Sequence, residues 1–273
     1  MITQLFTGIL LGIIIAYLAW RARSLSVSGA IAAAICGGLI FGFGGLPWAA
    51  LLLTFFISSS ALSRAFAIRK TSINEKFSKG SQRDWGQVLA NGGIGAMLAI
   101  AYAIWPDQSW IWPAYVGSMA AVTADTWATE LGVLSPQLPR LVTTWKPVER
   151  GTSGAISLPG TLAATSAALL IGLVGGIFTT STGNSSLQGT IILVVAVLGG
   201  LSGSLIDSLL GATVQAIYTC PTCQKETERH PLHTCQTPTI HKRGYRWLNN
   251  DWVNLTCALA GAMTAAGLWQ LFS

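Results

Sequence analysis

The sequence predicts an all-α polytopic membrane protein with about eight transmembrane helices, and three observations lead to this fold class. Hydrophobic residues make up 51% of the chain and charged residues only 10%, whereas a soluble domain carries about 25% charged residues. The apolar residues occur in runs close to the ~20 residues that a membrane-spanning helix requires. All 16 lysines and arginines fall in four polar segments, and the alternate connections contain none. Because basic loops remain on the cytoplasmic side, this pattern also predicts the topology.

Eight apolar runs are expected to form the spans. In chain order they cover residues 2–20, 27–43, 47–66, 86–105, 111–134, 156–178, 190–217 and 252–272. The basic segments follow the first, third, fifth and seventh runs, at residues 21–23, 64–83, 140–150 and 225–246. We therefore expect all basic loops in the cytoplasm and both termini on the opposite side. The first run has its positive charges after the apolar stretch, which indicates a span rather than a signal peptide.

Short sequence echoes predict a duplication within a single membrane domain, 1–273. The sequence SGAI opens the second run at 28–31 and recurs at 153–156, where it opens the sixth. Arg83 precedes Asn91 by eight residues, and Arg246 precedes Asn254 by the same interval. We expect two parallel four-helix repeats, 1–105 and 111–273, related by an axis along the membrane normal. The alternative explanation is chance, since small residues are common in membrane helices.

Acidic and amide side chains are expected to converge near the cytoplasmic ends of the spans. Ionisable residues inside a membrane are costly and usually functional, and a rise of about 1.5 Å per residue places these in the cytoplasmic third. They are Asp125, Glu130, Asp207, Asp251, Asn91, Asn250 and Asn254. Magnesium binds one or two carboxylates together with substrate phosphate oxygens, so the four acids are candidate catalytic residues and Mg²⁺ ligands. The alternative is that each acid pairs with a loop arginine and fastens a helix end.

The spacing of two acids in the fifth run limits how they can act together. Asp125 and Glu130 are five residues apart, so their side chains diverge by about 140° on a straight helix. Both reach one metal ion only if the helix is bent or broken there. Otherwise they serve adjacent subsites.

The segment 146–154 has the composition of a phosphate-binding loop. Glycines and hydroxyl residues at a helix N-terminus present backbone N–H groups to phosphate, and neighbouring cations add charge. The residues expected to act in this way are Lys146, Arg150, Gly151, Thr152 and Gly154. The Walker A pattern is absent. An ordinary helix N-cap formed by Thr152 or Ser153 is the alternative.

The most basic connection, 64–83, is expected to face anionic headgroups or a phosphorylated substrate. It carries six cations, Arg64, Arg69, Lys70, Lys76, Lys79 and Arg83, close to two acids, Glu75 and Asp84. Only Arg64 and Arg83, at the helix ends, are placed to reach the acids of the spans. The net charge of +6 is attributed to these loops, and no nucleic-acid partner is expected.

A cysteine and histidine cluster lies in the loop 219–248, between the last two spans. Cys220 and Cys223 form a C-x₂-C pair that is followed by His233 and Cys235, which is the spacing of a zinc knuckle. His230 is the substitute for His233. With four protein ligands such a site is closed and structural. The alternative is a redox-active C-x-x-C pair, although structural disulfides are rare on the cytoplasmic side.

Five ordered motifs resemble the integral membrane family that includes the phytyl-phosphate kinases of tocopherol biosynthesis. They are QVLANG at 87–92, ADTWATELG at 124–132, RGTSGAIS at 150–157, GSLIDSLLGA at 203–212 and LNND at 248–251. The resemblance implies transfer of a phosphoryl group from CTP or ATP to a prenyl monophosphate, which yields the diphosphate. Phosphoryl transfer needs positioning and charge neutralisation more than covalent catalysis, which agrees with the acids, amides and basic loops.

Three alternatives from other classes remain open at this point. A cytidylyltransferase would use the same acids on a lipid phosphate but release pyrophosphate. A transporter or flippase would place its polar groups near the bilayer midplane, whereas here the outer halves of the spans are almost free of charge. A non-catalytic scaffold would depend on the cysteine loop and not on the acids. The oligomeric state is not predicted.

Overall fold

The computed structural model describes residues 2–66, 76, 82–181 and 185–272, and these residues form eight α-helices. They are α1 (Ile2–Arg21), α2 (Val27–Gly44), α3 (Leu46–Ala65), α4 (Trp85–Ile104), α5 (Ile111–Gly132), α6 (Leu158–Ser181), α7 (Ser186–Thr213) and α8 (Asn250–Phe272). Each helix coincides with one predicted apolar run. The predicted all-α membrane fold is therefore confirmed, and the predicted cations Arg69, Lys70 and Lys79 and the acid Glu75 lie outside the described residues.

Short strands form in two of the basic connections. β1 (Arg140–Leu141) pairs antiparallel with β2 (Ala155–Ile156), and β3 (Ile217–Thr219) lies between β4 (Glu226–Thr227) and β5 (Ile240–Arg243). These strands correct two predicted boundaries. The sixth helix begins at Leu158 rather than at 156 because β2 uses the preceding residues, and the seventh ends at Thr213 rather than at 217 because β3 follows it.

Seven of the eight helices in the described part of the chain are long and apolar enough to cross a membrane. The remaining helix, α5, is 22 residues long and carries Asp125 and Glu130. It packs against α3, α4, α6, α7 and α8, and every residue from Ile111 to Ala124 except Trp112 is buried. A helix enclosed by other helices does not need the apolar surface of one that faces lipid.

Small residues allow α5, α7 and α8 to approach closely. A Cβ atom added at Gly203 on α7 would overlap the Ala121 side chain of α5 and lie 2.8 Å from the Cys257 carbonyl oxygen of α8. A Cβ atom added at Gly261 of α8 would likewise overlap Ala121. Small residues at such contacts are typical of packed membrane helices, and here they fix the register of the three helices that carry most of the predicted acids.

Polar side chains define where several helices begin. Ser26 accepts a hydrogen bond from the Gly29 N–H group at the start of α2. Asp84 and Gln87 form a capping box at the start of α4, an arrangement that satisfies backbone donors at both positions. Asn249 Oδ1 accepts from two N–H groups in the first turn of α8. These caps place the polar motifs at one end of the bundle.

Contacts between the four basic connections gather them at that same end. Arg64, at the end of α3, donates to the Ala22 carbonyl and to Ser24 between α1 and α2. Lys76, from the connection between α3 and α4, forms an ion pair of 2.7 Å with Glu149 between α5 and α6. The Lys76 carbonyl oxygen also accepts from the Glu228 N–H group between α7 and α8. The end of the bundle where these connections meet is called the basic end below.

Candidate functional site

The centre of the candidate site is a pair of aspartates on neighbouring helices. The carboxyl groups of Asp125 on α5 and Asp207 on α7 are close enough to share a hydrogen bond. Ala121 of α5 and Gly203 of α7 are in tight contact. Asp125 follows Ala121 by four residues and Asp207 follows Gly203 by four, so each aspartate lies on the helix face that makes this contact. The close approach of α5 and α7 therefore delivers both carboxylates to one point. Asp207 Oδ2 is buried and has no hydrogen-bond partner among the described residues.

A third carboxylate, Glu228, reaches the aspartates from the loop between α7 and α8. It lies near enough for its charge to act on both Asp125 and Asp207. Gln215 is buried and donates to Glu228 Oε1 through Nε2 at 2.9 Å, while its Oε1 accepts from Ser153 Oγ at 2.7 Å. Three acids from three segments thus face one another near the basic end. Like charges at this distance require protons or cations for compensation.

The geometry of this acidic group, Asp125, Asp207 and Glu228, suits a hydrated ion. The two aspartate carboxyl groups are close enough to share a hydrogen bond, whereas Glu228 acts on them through its charge. Magnesium keeps several water ligands and is held by one or two carboxylates together with substrate phosphates. The unpaired Asp207 Oδ2 atom offers such an ion an oxygen that no described hydrogen-bond donor occupies. These carboxylates are of the type that could hold Mg²⁺, with Asp125 and Asp207 next to each other and Glu228 acting on both through its charge.

Glu130 contacts a different helix from Asp125. Ser63 on α3 donates to Glu130 Oε1 at 2.7 Å, and nearby Trp127 Nε1 donates to Ser58 Oγ of the same helix at 3.3 Å. The fifth helix is continuous through this region, so the divergence predicted from the five-residue spacing is observed. Glu130 therefore faces α3, whereas Asp125 faces α7.

The first turns of α8 bring the remaining predicted polar residues to the basic end. Asn250 and Asp251 lie in the first turn, where an acidic side chain interacts favourably with the helix dipole. Asn254 lies one turn further along, three residues before Cys257. The Cys257 thiol is near enough to Asp125 and Asp207 to sense both charges. Residues three apart share a helix face, so Asn254 lies on the same side of α8 as Cys257.

Arg83 is a half-buried cation at the start of α4. Its backbone is fixed by hydrogen bonds to Ser24 and Ser26, and its guanidinium donates to Ser60 Oγ at 3.1 Å. The guanidinium carbon lies 5.5 and 5.6 Å from the ring centroids of Phe55 and Phe56. Burial lowers the pKa of Arg83 to about 10, so the side chain is still a cation at neutral pH. No carboxylate among the described residues forms an ion pair with it.

The other predicted phosphate-binding residues are placed differently from the prediction. Arg64 binds the turn between α1 and α2, and Arg150 donates to the Pro136 carbonyl at 2.8 Å. The segment with Gly151, Thr152 and Gly154 precedes β2 rather than opening the sixth helix. The predicted caps are wrong, because Ser157 Oγ accepts from the Gly160 N–H group at 3.2 Å in the first turn of α6.

Two residues of that segment have clear structural roles. Gly154 has a φ of +81° and a Cβ atom there would lie 2.6 Å from the Ala212 Cβ atom, so only glycine allows the loop to pack on α7. Ser153 binds Gln215 and so connects the loop to Glu228. Lys146 is exposed, which leaves its ammonium group accessible at the basic end.

The four predicted zinc ligands come together in the loop between α7 and α8. The ligand atoms of Cys220, Cys223, His233 and Cys235 all lie within 4.8 Å of one another. The Cys235 sulfur is 3.5 Å from the sulfurs of Cys220 and Cys223 and 3.2 Å from His233 Nδ1. A tetrahedral site with Zn–S bonds of about 2.3 Å has edges of roughly 3.8 Å, which agrees with these spacings. The cluster can therefore hold a metal ion such as zinc.

Details of the cysteine loop strengthen the fit to a metal. The Cys223 N–H group donates to the Cys220 sulfur at 3.4 Å. Hydrogen bonds with Thr237 and then His233 lower the pKa of Cys235 to about 5, so this sulfur is a thiolate, the form that binds metals. The predicted substitute, His230, instead stacks on Tyr218 with ring centroids 4.5 Å apart. His233 is therefore the histidine of the cluster.

Comparison with known proteins identifies the family. The model of the integral membrane protein family DUF92 matches residues 10–262. The chain belongs to this family. Protein PGR of Arabidopsis thaliana is 36% identical over 274 residues, which cover 94% of the chain and 93% of PGR. The family resemblance indicated by the five motifs is thus confirmed.

Other DUF92-family relatives are more distant or less complete. An uncharacterized membrane protein of Methanocaldococcus jannaschii is 39% identical over 210 residues, which cover 77% of the chain and 82% of that protein. Protein VTE6, chloroplastic, of A. thaliana is 26% identical over 250 residues, which cover 90% of the chain and 66% of VTE6. No solved structure matches the chain.

The structure also reveals site residues that sequence reasoning missed. Glu228 and Gln215 lie outside the five motifs, and neither occupies a membrane span. Glu228 is placed by the fold of the cysteine loop and by the Lys76 carbonyl, which are both long-range effects. One sequence feature could have pointed to Glu228. It lies within the predicted zinc loop, and that loop is expected on the same side of the membrane as the acids of the spans.

Proposed function

We propose that this DUF92-family protein is a membrane-embedded phosphotransferase that phosphorylates a prenyl, phytyl-type monophosphate at the cytoplasmic face. The observation that carries the proposal is the Asp125–Asp207 pair with Glu228 beside it. The resemblance of the motifs to phytyl-phosphate kinases supplies the reaction and substrate class, and similarity to VTE6 supports it at 26% identity.

In the proposed reaction, an oxygen of the prenyl monophosphate attacks the γ-phosphorus of CTP or ATP. A new P–O bond forms to give the prenyl diphosphate, and the bond between the γ-phosphorus and the bridging oxygen breaks to release the nucleoside diphosphate. The acceptor oxygen already carries negative charge, so no strong general base is required. Catalysis of this kind depends on positioning and on neutralising charge.

Each group of residues has a role in the proposal. Asp125 and Asp207 hold Mg²⁺, which when bound neutralises phosphate oxygens, and Glu228 restrains its water ligands. Glu130, Asp251 and the amides of Asn250 and Asn254 hold and orient the groups around this centre, and Asn91, which lies beside Arg83 in the other half of the bundle, orients the acceptor. Arg83 binds the acceptor phosphate, and Lys146 faces the nucleotide. Zinc bound by Cys220, Cys223, His233 and Cys235 is structural, because four protein ligands close its coordination sphere.

Product analysis with two labels tests the reaction type. Detergent-purified protein is incubated with Mg²⁺, geranylgeranyl monophosphate and CTP or ATP labelled at either the α- or the γ-phosphorus. The kinase proposal predicts that γ-label alone enters the lipid. Entry of α-label would identify a cytidylyltransferase or its ATP-using equivalent, and vectorial movement of lipid without label transfer would identify a transporter.

A further inference from the structure

A partly open apolar cavity lies in the half of the bundle that does not carry the aspartate pair. It measures about 180 Å³ and is bounded by α1, α2, α3 and α4, mainly by aliphatic, aromatic and glycine residues. Its polar lining comes from one end, where Arg83, Gln87 and Asn91 contribute. A cavity of this size is many times larger than the ~10–15 Å³ that accommodates one water molecule. Apolar walls favour an apolar occupant over water.

The shape and size of the cavity favour one slender chain. Its volume lies below the roughly 300 Å³ at which pockets for compact small molecules begin. Small residues such as Gly12, Ala33 and Gly37 line it, so helix backbones form much of the wall. A single hydrocarbon chain fits such a space better than a ring system or a pair of acyl chains.

The end of the cavity is built for an anion. Arg83 lines it as a half-buried cation, and no carboxylate among the described residues forms an ion pair with it. Burying an unpaired charge is costly, and Ser60 together with the faces of Phe55 and Phe56 compensates for it only in part. A phosphate group is a geometrically suitable partner for a guanidinium. A ligand with an anionic head and an apolar chain would satisfy both parts of the cavity at once.

This anionic end adjoins the carboxylate side of the bundle through one face of α3. Ser60 accepts from Arg83, and Ser63, three residues further on, donates to Glu130. Residues three apart on a helix have Cβ atoms about 5–6 Å apart. A head group bound to Arg83 therefore lies beside the helix that carries Glu130 and Asp125, while its chain extends away between α1 and α4.

We propose that this cavity binds the hydrocarbon chain of a single-chain lipid phosphate, with the phosphate on Arg83. This proposal extends the proposed function by locating the lipid chain. That the chain is a prenyl chain rests on the proposed function. The occupant enters with its phosphate at the basic end, beside the face of α3 that contacts Glu130. A two-chain phospholipid, which carries about twice the hydrocarbon volume of one chain, is disfavoured by the small volume of the cavity.

Glycine substitutions test the cavity with a matched control. Gly37 and Gly92 line it, and a Cβ atom added at either has its nearest neighbour at 3.8 Å, which is ordinary contact. The Cβ atom of a leucine at either position therefore meets no backbone atom, and the rest of the side chain can enter the cavity. Gly93 is the neighbour of Gly92 on the same helix, does not line the cavity and has nothing within 4 Å of an added Cβ atom. Gly93→Leu therefore makes the same substitution on the same helix as Gly92→Leu but leaves the cavity open.

The measurement is binding of geranylgeranyl monophosphate to the purified full-length chain without nucleotide, by native mass spectrometry. Displacing two methylenes from the cavity costs about 1.6 kcal/mol, or about tenfold in Kd, so Gly37→Leu and Gly92→Leu should each weaken binding by at least that factor. Arg83→Gln should weaken it similarly, and Gly93→Leu should stay within about twofold. Equal binding by Gly37→Leu and Gly93→Leu, displacement by equimolar two-chain phosphatidic acid, or no binding by the unmodified protein would overturn the proposal.

Label transfer separates this inference from the proposed function. If cavity variants lose lipid binding while the unmodified protein shows no transfer from any nucleotide, the lipid site stands and the kinase proposal fails. If the unmodified protein transfers label and Gly37→Leu does so with unchanged KM for the lipid, the kinase proposal stands and the cavity is not the chain site.

Discussion

Asp125 on α5 and Asp207 on α7 lie side by side, close enough to share a hydrogen bond, although 82 positions separate them in the chain. Their meeting follows from the contact of Ala121 with Gly203 one turn earlier on each helix. Two carboxylates enclosed by helices are difficult to explain as structural residues, because their mutual repulsion destabilises the packing. A bound cation would compensate the two negative charges and could also bind a substrate phosphate.

Replacing one member of the pair should abolish activity and spare the fold. In Asp207→Asn, an amide keeps the size and hydrogen bonding of the side chain but removes a charged metal ligand. We expect turnover to fall by about 10³-fold, equivalent to roughly 4 kcal/mol of transition-state stabilisation. The check is initial rate together with thermal unfolding. Asp107→Asn, at an exposed acid between α4 and α5, is the control, and an equal fall in both variants would contradict the assignment.

Glu228 should act on metal affinity more than on maximal rate. Its charge reaches both aspartates without a direct hydrogen bond to either, so Glu228→Gln removes attraction for the ion while leaving its direct ligands. The Mg²⁺ concentration for half-maximal rate should rise about tenfold, a change of about 1.4 kcal/mol in binding. Glu226→Gln, at an acid paired with Lys242 at 2.5 Å, serves as control. An unchanged Mg²⁺ requirement in Glu228→Gln would remove that residue from the site.

Gln215 should matter for stability because it connects three segments. Its amide bonds both Ser153 and Glu228 and is buried. Gln215→Met keeps the length of the side chain but removes its hydrogen bonds to Ser153 and Glu228, worth about 0.5–1.5 kcal/mol for the neutral partner and about 1.5–3 kcal/mol for the charged one. A lower midpoint of thermal unfolding is the expected result. The exposed Gln224 provides Gln224→Met for comparison, and no difference between the two variants would show that the connection is dispensable.

The cysteine loop should contain about one zinc ion per chain, bound by four protein ligands. Elemental analysis of purified protein checks this expectation directly. Cys235→Ser should lose the metal, whereas Cys36→Ala, in the second helix and outside the cluster, should retain it. Because the same loop carries Glu228, loss of zinc should also raise the Mg²⁺ requirement. A metal-free native protein, or a disulfide between Cys220 and Cys223 in mass spectra, would contradict the structural zinc site.

The fold and part of the site could be predicted from local sequence patterns. Apolar runs mark each helix because crossing a membrane depends on length and composition, and the C-x₂-C spacing marked the cysteine cluster because its ligands are close in the chain. The division into repeats 1–105 and 111–273 stays a prediction, as does the cytoplasmic location of the basic end.

Residues whose role depends on packing between distant segments could not be predicted. Glu228 and Gln215 act through contacts with Asp125, Asp207 and Ser153, none of which is local. Arg64 looked equivalent to Arg83 in the sequence, since both lie at helix ends. Tertiary contacts distinguish them, because Arg64 donates a hydrogen bond to the Ala22 carbonyl in the turn after α1, whereas Arg83 lines the apolar cavity.

The central claim is that the Asp125–Asp207 pair supports phosphoryl transfer to a lipid phosphate. Its most direct test is transfer of γ-label from CTP or ATP to geranylgeranyl monophosphate by purified protein and by Asp125→Asn, each with and without Mg²⁺. We predict labelled geranylgeranyl diphosphate only with the unmodified protein and Mg²⁺. Undiminished transfer by Asp125→Asn, or no transfer by unmodified protein that still binds the lipid, would contradict the claim.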